Sequence, residues 1–464
     1  MSDKHKVSER LALQGGMKAV SGIEGRGKPK IGTDELMAVV ERFGVSSATR
    51  RKIRALLKKE EPGDGPFLAN YYSDLRETKV QAYERTAREV FGVDYAIGTS
   101  SGTGALHAAF VAVGVGPGTE VICPAIGFIA TAVAVVAARG VPIFCDVDES
   151  LAMDPTRIEA LVTDRTRAIA PTCVMGSVPD MRAIMRVARK HKLKVVEDCA
   201  QSCGGKFRGR YVGTFGDAAG FSISAYKIVG GGEGGLMLTK KRRIWERASQ
   251  LVECGGLWRP ERFAPPRYKD ELFSGANYRM SELEAAVDVV QLRKVDATVN
   301  RFRKVRQRIL ERLKPFREIV PQKLNDPEGD VGYLLRFFPK SVKLAEKIAV
   351  ALKAEGVSCS TRGKGARPDW HQYSFMYPIT LRTGPTSDNC PFECPHYLAR
   401  GGSVRYARGD CPVADDLFDR MVTVSLNQWL TAGDCRNIAK AINKVLAAYC
   451  TEDPKARQWV GGSK

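Results

Sequence analysis

The chain of 464 residues carries 72 Lys and Arg against 52 Asp and Glu, a net charge of +20 at pH 7, with 44% hydrophobic and 27% charged residues. At ~150 residues per domain the length predicts two or three domains, and the composition excludes a chain disordered throughout. The longest near-apolar run, Phe128 to Ala138, is broken by Thr131 and falls short of the ~20 residues that cross a bilayer. The charged start Met1-Ser2-Asp3-Lys4-His5-Lys6 leads into no hydrophobic segment, so a cytoplasmic protein without membrane association is expected.

Two short helical patterns, Asp34–Phe43 and Ser47–Lys59, are separated by Gly44, and Pro62, Gly63, Gly65 and Pro66 then punctuate a loop. From about Val93, short apolar runs alternate with helical patterns. Tyr95–Gly98 precedes Thr103–Val113, Glu120–Cys123 precedes Phe128–Ala138, and Val141–Val147 precedes Asp154–Val162. Arg167–Pro171 precedes Asp180–Arg189, and Lys194–Asp198 closes the series. Such alternation predicts an α/β fold with a mostly parallel sheet flanked by helices. Right-handed crossovers then place the strand C-termini on one edge, where ligands bind.

The alternation stops near Leu238, and a helix is expected over Lys240–Val252. Ser281-Glu282-Leu283-Glu284 has capping-box spacing and opens a helical run to Leu292. A basic helical stretch, Asn300–Leu313, leads into a smaller C-terminal α/β domain with strand-like Gly332–Pro339, helical Val342–Gly356 and a loop-rich 360–410. A last helix puts Ile438, Ile442, Val445 and Leu446 on one face. The expected boundaries are an N-terminal helical extension over 1–65, a large domain over 66–300 and a small domain over 301–464.

The basic residues are spread along the chain, and their densest run, Arg50-Arg51-Lys52-Ile53-Arg54, has no interleaved aromatics of the kind that stack single-stranded bases. An anionic small molecule is therefore the expected partner, and nucleic acid is not. Without a secretory segment, the twelve cysteines read as reduced thiols. Cys390, Cys394, His396 and Cys411 could offer four soft ligands, but C-x3-C-x-H followed by a long gap is not a zinc spacing, and no metal site is expected.

Four segments fall where chemistry is expected. Thr99-Ser100-Ser101-Gly102-Thr103-Gly104 lies between a strand and a helix, where backbone N–H groups and hydroxyls can meet a phosphate or simply cap the helix. Val195-Val196-Glu197-Asp198 ends an apolar strand in two acids, which could face a cationic ring nitrogen or solvent. Lys227 follows the strand-like Phe221-Ser222-Ile223 and precedes Gly230-Gly231-Gly232-Glu233-Gly234-Gly235. An amine beside backbone this open can lose hydration and turn to Schiff-base chemistry, or be a surface lysine. Gly275–Met280 is a polar loop before the capped helix.

In this order the segments resemble fold-type I pyridoxal-phosphate enzymes, and more narrowly the DegT/DnrJ/StrS sugar aminotransferases. The resemblance runs from about Val93 to Leu446. It rests on S-G-T-G-A-L-H at 101–107, M-D-P-T-R-I-E-A-L at 153–161, E-D-C-A-Q-S-C-G-G at 197–205, G-E-G-G at 232–235, N-Y-R-M-S-E at 277–282 and C-P-V-A at 411–414.

The resemblance implies that Lys227 binds pyridoxal 5'-phosphate covalently and carries the proton during transfer. Asp198 matches the acid that keeps the pyridine nitrogen protonated, making the ring an electron sink. Gln201 matches the residue that hydrogen-bonds the ring's phenolic oxygen. Gly102, Thr103 and Ser222 fit the phosphate site, and Phe128 matches an aromatic that stacks on the ring. Asn277 matches a residue reaching the phosphate of a neighbouring subunit, which implies a homodimer with shared sites.

The implied reaction moves an amino group from glutamate or glutamine to a keto sugar, nucleotide-linked keto sugar or keto-cyclitol. The alternatives are a dehydratase or ring-forming synthase of the same family, or a non-catalytic regulator that binds the cofactor. Relatives that act as dehydratases replace the lysine by His, so Lys227 favours amino transfer. Cys173 stands where the family often has His, and the 361–410 loop is unusually long and cysteine-bearing.

Overall fold

The apolar runs expected as strands are taken up by two sheets, and the central strands of the larger one are largely buried. The strands of the computed structural model are β1 (Tyr95–Thr99), β2 (Glu120–Pro124), β3 (Val141–Cys145), β4 (Thr166–Ile169), β5 (Lys194–Asp198), β6 (Lys206–Phe207), β7 (Arg210–Tyr211), β8 (Ala218–Ser222) and β9 (Gly235–Thr239). The later strands are β10 (Ile319–Pro321), β11 (Leu334–Pro339), β12 (Cys359–Thr361) and β13 (Val422–Ser425). Residues 10–22, 31–60, 68, 77–363 and 368–459 are described, which leaves the Pro62–Pro66 punctuation and the 65/66 boundary outside them.

The chain divides into two compact units, Met1–Ser73 and Asp74–Lys464. The first contains the helices Thr33–Glu41 and Ser47–Glu60, tied by Arg54–Asp34 and Arg50–Glu41 ion pairs, each 2.5 Å. Such exposed pairs contribute only about 0–1 kcal/mol.

In the second unit seven strands form a sheet in the order β1-β9-β8-β5-β4-β2-β3. The pairs from β8 to β3 are parallel, whereas β9 runs antiparallel to both β1 and β8. Continuous apolar strands such as Glu120–Pro124 and Gly235–Thr239 are buried at every position, as a sheet covered by helices on both faces requires. The helices Gly102–Ala112, Ala130–Ala137, Met181–Lys190 and Arg242–Val252 follow the expected patterns to within a few residues. The expected helix over Asp154–Val162 is a single turn, Pro155–Ile158, continued as a 3-10 turn over Glu159–Leu161.

A second sheet, β10-β11-β13-β12, is antiparallel throughout. It shares a core with the helices Val295–Leu310, Val342–Ala354 and Ala432–Tyr449, built on Ile309, Phe337, Ile348, Ile442, Val445 and Leu446. The last helix buries its apolar stripe as expected, and Thr431 caps it by accepting from the Asp434 N–H.

The Ser281 cap differs from its expected form. Ser281 Oγ accepts from the Leu283 N–H at 3.3 Å, while Glu284 turns away from the helix start toward Asp288 and the backbone of Glu233. The acid that would complete a capping box instead packs against the glycine-rich loop: a Cβ on Gly232 would lie 2.6 Å from Glu284 Oε2.

Candidate active site

The parallel strands deliver Pro124, Asp198 and Ser222 to one edge of the large sheet, with Thr99 of β1 alongside. The two acids that end β5 have different fates. Glu197 is wholly buried and accepts the N–H groups of Gly213, Phe215 and Gly216, each at 2.7 Å. Its carboxylate holds a turn. Asp198 is 2% exposed and accepts from Thr131 Oγ1 at 2.5 Å and from the Ala200 N–H at 3.0 Å. Burial pushes its carboxyl above the ordinary range, against the pull of Thr131, Ala200 and the Lys227 ammonium. A buried carboxylate with so few donors favours a cation beside it.

Lys227 supplies one charge. It sits in the loop after β8, where Lys227 N–H donates to Ser224 O at 2.9 Å. Loss of hydration lowers its ammonium below the usual lysine value, with Asp198 and Glu233 opposing. That shift enlarges the neutral, nucleophilic fraction of the amine. The loop closes on the glycine run through Ile223 N–H to Gly234 O and Ala225 N–H to Gly232 O, both 2.9 Å. Glycine is required at 230, because a Cβ there would lie 2.4 Å from Ser224 O.

Gly102 opens the Gly102–Ala112 helix, capped by Ser101 Oγ on the Gly104 N–H at 3.0 Å. The amides of Gly102 and Thr103 have no carbonyl one turn back to bond, so the helix start points donors outward. A Cβ on Gly102 would lie 2.7 Å from that of Ser222, so this glycine lets the helix start and the end of β8 converge into one cradle. Tyr278 packs on Gly104 and meets His107 Nδ1 at 3.0 Å, and its carbonyl accepts from Ser100 N–H at 2.7 Å. Asn277 stands apart: it is exposed, with its amide oxygen accepting from the Arg279 N–H at 3.2 Å.

Lys227 and Gln201 line a cavity of about 480 Å³ with Met175, Phe302, Tyr333 and His371 among its walls. Phe128 is 40% exposed and holds its ring 5.2 Å from that of His371. His371 and Asp369 lie within the long 361–410 loop and carry no local signal that marks them as site residues. They reach the site because the segment pairs with the end of β2: Gly127 N–H donates to His371 O and Tyr373 N–H to Ala125 O, both 2.9 Å. Thr131 had a signal, as the sole polar residue interrupting an apolar run.

Cys173 is buried with its sulfur 3.9 Å from that of Cys199; the imidazole of this site comes from His371 instead. Cys390 and Cys394 belong to one buried cluster and Cys411 to another, where its thiol faces Phe144 O.

The set combines an anion cradle, a buried carboxylate, a lysine with a lowered ammonium and an amide donor on one sheet edge, with a cavity walled by aromatic and hydroxyl groups. It fits a phosphorylated aromatic cofactor with a cationic ring nitrogen.

Residues 73–362 match the family described as DegT/DnrJ/EryC1/StrS aminotransferases. The chain is 32% identical over 297 residues to GDP-perosamine synthase of Caulobacter vibrioides, covering 64% of this chain and 77% of that one. It is 35% identical over 370 residues to L-glutamine:2-deoxy-scyllo-inosose aminotransferase of Streptomyces fradiae, covering 78% and 85%. Among solved structures, an aminotransferase from Psychrobacter cryohalolentis superposes with a TM-score of 0.66 at 25% identity, covering 82% of this chain and 99% of that one. Among the described residues no helix is long and apolar enough to cross a membrane.

Proposed function

The chain belongs to the DegT/DnrJ/EryC1/StrS aminotransferase family, a family of pyridoxal-phosphate enzymes, and on that footing we propose that it moves an amino group from glutamine or glutamate onto the keto carbon of a cyclitol or sugar. The observation that carries this reading is the convergence, on one sheet edge, of a buried Asp198 ending β5, a half-buried Lys227 in the loop after the adjacent β8, and the Gly102–Ser222 cradle.

When bound, pyridoxal phosphate supplies an electron-withdrawing ring that stabilises negative charge at the amino-bearing carbon. The protein's own groups do the rest. Gly102, Thr103 and Ser222 bind the phosphate, and Asp198, oriented by Thr131, keeps a proton on the ring nitrogen. Gln201 donates to the phenolic oxygen and Phe128 covers a ring face. With the cofactor bound, the amine of Lys227 would hold it in place and would accept and give back the proton that moves during amino transfer. The hydroxyls of Thr298, Ser360 and Thr423, with the rings of Phe302 and Tyr333, wall the same cavity and suit a polyol acceptor.

Of the two relatives, one is named for a GDP-linked amino sugar and the other for 2-deoxy-scyllo-inosose, so both nucleotide-linked and free cyclic acceptors are tested. The purified protein is incubated with glutamine or glutamate and either a keto-cyclitol or a nucleotide-linked keto sugar, and the amine product is measured by mass spectrometry. Amine formation that requires Lys227 is expected. Absence of amine from both acceptors with both donors, in protein that holds the cofactor, overturns the proposal. The exposed Tyr226, at 99%, and the exposed Asn277 support a homodimer that completes each site with a second subunit.

A further inference from the structure

We infer that Asp369, acting through His371, fixes the Gln201 amide with its N–H groups toward the cavity, making Gln201 an obligate donor to the oxygen bound there. The inference rests on the reading of the site given above and adds a positioning residue to it.

One end of this network is formed by groups that have no choice of role. The Met175 backbone N–H can only donate, and it lies 2.7 Å from Gln201 Oε1. That contact settles which end of the Gln201 amide is oxygen. The nitrogen end then faces His371 Nε2 at 3.0 Å. An amide NH2 can only donate, so His371 Nε2 must be bare and accept.

The remaining ring proton therefore sits on Nδ1, which lies 2.8 Å from Asp369 Oδ1. Free imidazole has no such partner to choose its tautomer; here the carboxylate makes the choice. Asp369 is itself held in place by two further contacts at the wall of the cavity: its Oδ1 accepts the His371 backbone N–H at 2.9 Å, and its Oδ2 meets Arg362 Nη1 at 2.5 Å. Burial raises its carboxyl, but the His371 hydrogen bonds and the Arg362 charge outweigh that and hold it near 2. It is therefore a carboxylate at any working pH.

One of the two Gln201 N–H groups is used on His371, which leaves the second free to donate to an acceptor in the cavity. Without Asp369 the imidazole can move its proton to Nε2, where it would oppose the Gln201 amide donor-to-donor. The amide would then rotate or withdraw, and the cavity would lose its donor.

The test uses protein labelled with carbon-13 in the histidine rings, read by NMR with and without pyridoxal phosphate. The chain has five histidines, and His371→Gln assigns the signal. Wild type is expected in the Nδ1–H form, Asp369→Ala in the Nε2–H form, and Asp369→Asn, whose amide oxygen still accepts, in the wild-type form. In the holoenzyme, Asp369→Ala and Gln201→Ala are expected to displace the visible absorption band in the same direction. The double variant should go no further than either single one, with cofactor binding weakened about 3–10-fold.

A wild-type His371 in the Nε2–H form, or an Asp369→Ala ring signal unchanged from wild type, overturns the inference. Additive band displacements in the double variant overturn the link to Gln201. Failure of the protein to bind the cofactor would instead defeat the functional reading, and the tautomer measured without cofactor would still stand.

Discussion

Gly102 and Ser222, 120 residues apart in sequence, meet so closely that the glycine's missing Cβ would have stood 2.7 Å from the serine Cβ and 2.9 Å from its Cα. The opposing atoms belong to the end of a buried strand and cannot swing aside. Gly102→Ala is expected to push the helix start away from β8 and open the cradle. Overpacking of this kind costs about 1–3 kcal/mol; the expected result is cofactor affinity lowered about tenfold or more, measured by absorbance titration, with a smaller loss of thermal stability.

Glu197 and Asp198 separate structure from chemistry in two adjacent residues. Glu197→Ala leaves three turn N–H groups without their acceptor and is expected to cost about 3 kcal/mol or more of stability. Asp198→Ala removes a buried carboxylate that burial already disfavours, so its cofactor-free form is expected to be as stable as wild type or more so. Its amino transfer should fall by about 10²–10⁴-fold, the range for loss of a group that governs proton movement. Thermal melts of the cofactor-free proteins together with single-turnover rates check both halves.

Thr131→Val keeps the shape of that side chain and deletes the hydroxyl that donates to Asp198. With one of two donors gone, the carboxylate is expected to protonate more readily, so cofactor is released at a higher pH than from wild type. A titration of bound cofactor from pH 8 downward reads this directly; an unmoved release midpoint would show that the hydroxyl is dispensable.

A second buried acid pair sets a pH dependence of folding. Asp288 is fully buried beside Glu284 on the Glu282–Leu292 helix, with Tyr83 near it, and burial raises both carboxyls, Asp288 the further. A carboxyl whose folded pKa is raised holds a proton in the native state that the unfolded chain has released. Stability is therefore expected to fall as pH rises from the ordinary carboxylate value toward the raised one. Asp288→Asn should flatten that fall, with the gain in melting temperature largest at the alkaline end. Melts at a series of pH values provide the check.

Shared active sites make a distinctive prediction for mixtures. If Asn277 serves the neighbouring subunit, a heterodimer of Lys227→Ala and Asn277→Ala chains has one site with both lesions and one with neither. Equal mixing after subunit exchange should restore about a quarter of wild-type activity in a closed two-fold dimer, although each variant alone is impaired. No recovery would place Asn277 in the site of its own chain.

Much of this site could be read along the chain because its chemistry clusters at strand ends, where each segment announces itself. Val195-Val196 followed by two acids, and a strand followed by Lys227 and glycines, are local signals. What stayed hidden depends on long-range pairing. Nothing local tells Glu197 from Asp198; the difference is that the turn at 213–216 meets one of them. Nothing near Trp370 shows that the backbone at 371–373 will pair with 125–127 and carry an imidazole to the ring of Phe128. Glu284 has the spacing of a helix cap, yet the glycine run 50 residues earlier offers it a backbone group the cap cannot match. The expected helix over Asp154–Val162 is in fact one turn, Pro155–Ile158, and a 3-10 turn, because apolar spacing alone does not tell a helix from successive short turns.

The backbone pairing of 371–373 with 125–127 stitches the imidazole to the large sheet, although its chain neighbours at Thr361 and Val422 belong to the small one. If the small sheet swings to admit or release a bulky acceptor, His371 and Phe128 travel as one piece and keep their spacing. The wall that would move is the opposite one, carrying Tyr333, Thr423 and Leu426. The two sides of this cavity are thus anchored to different sheets.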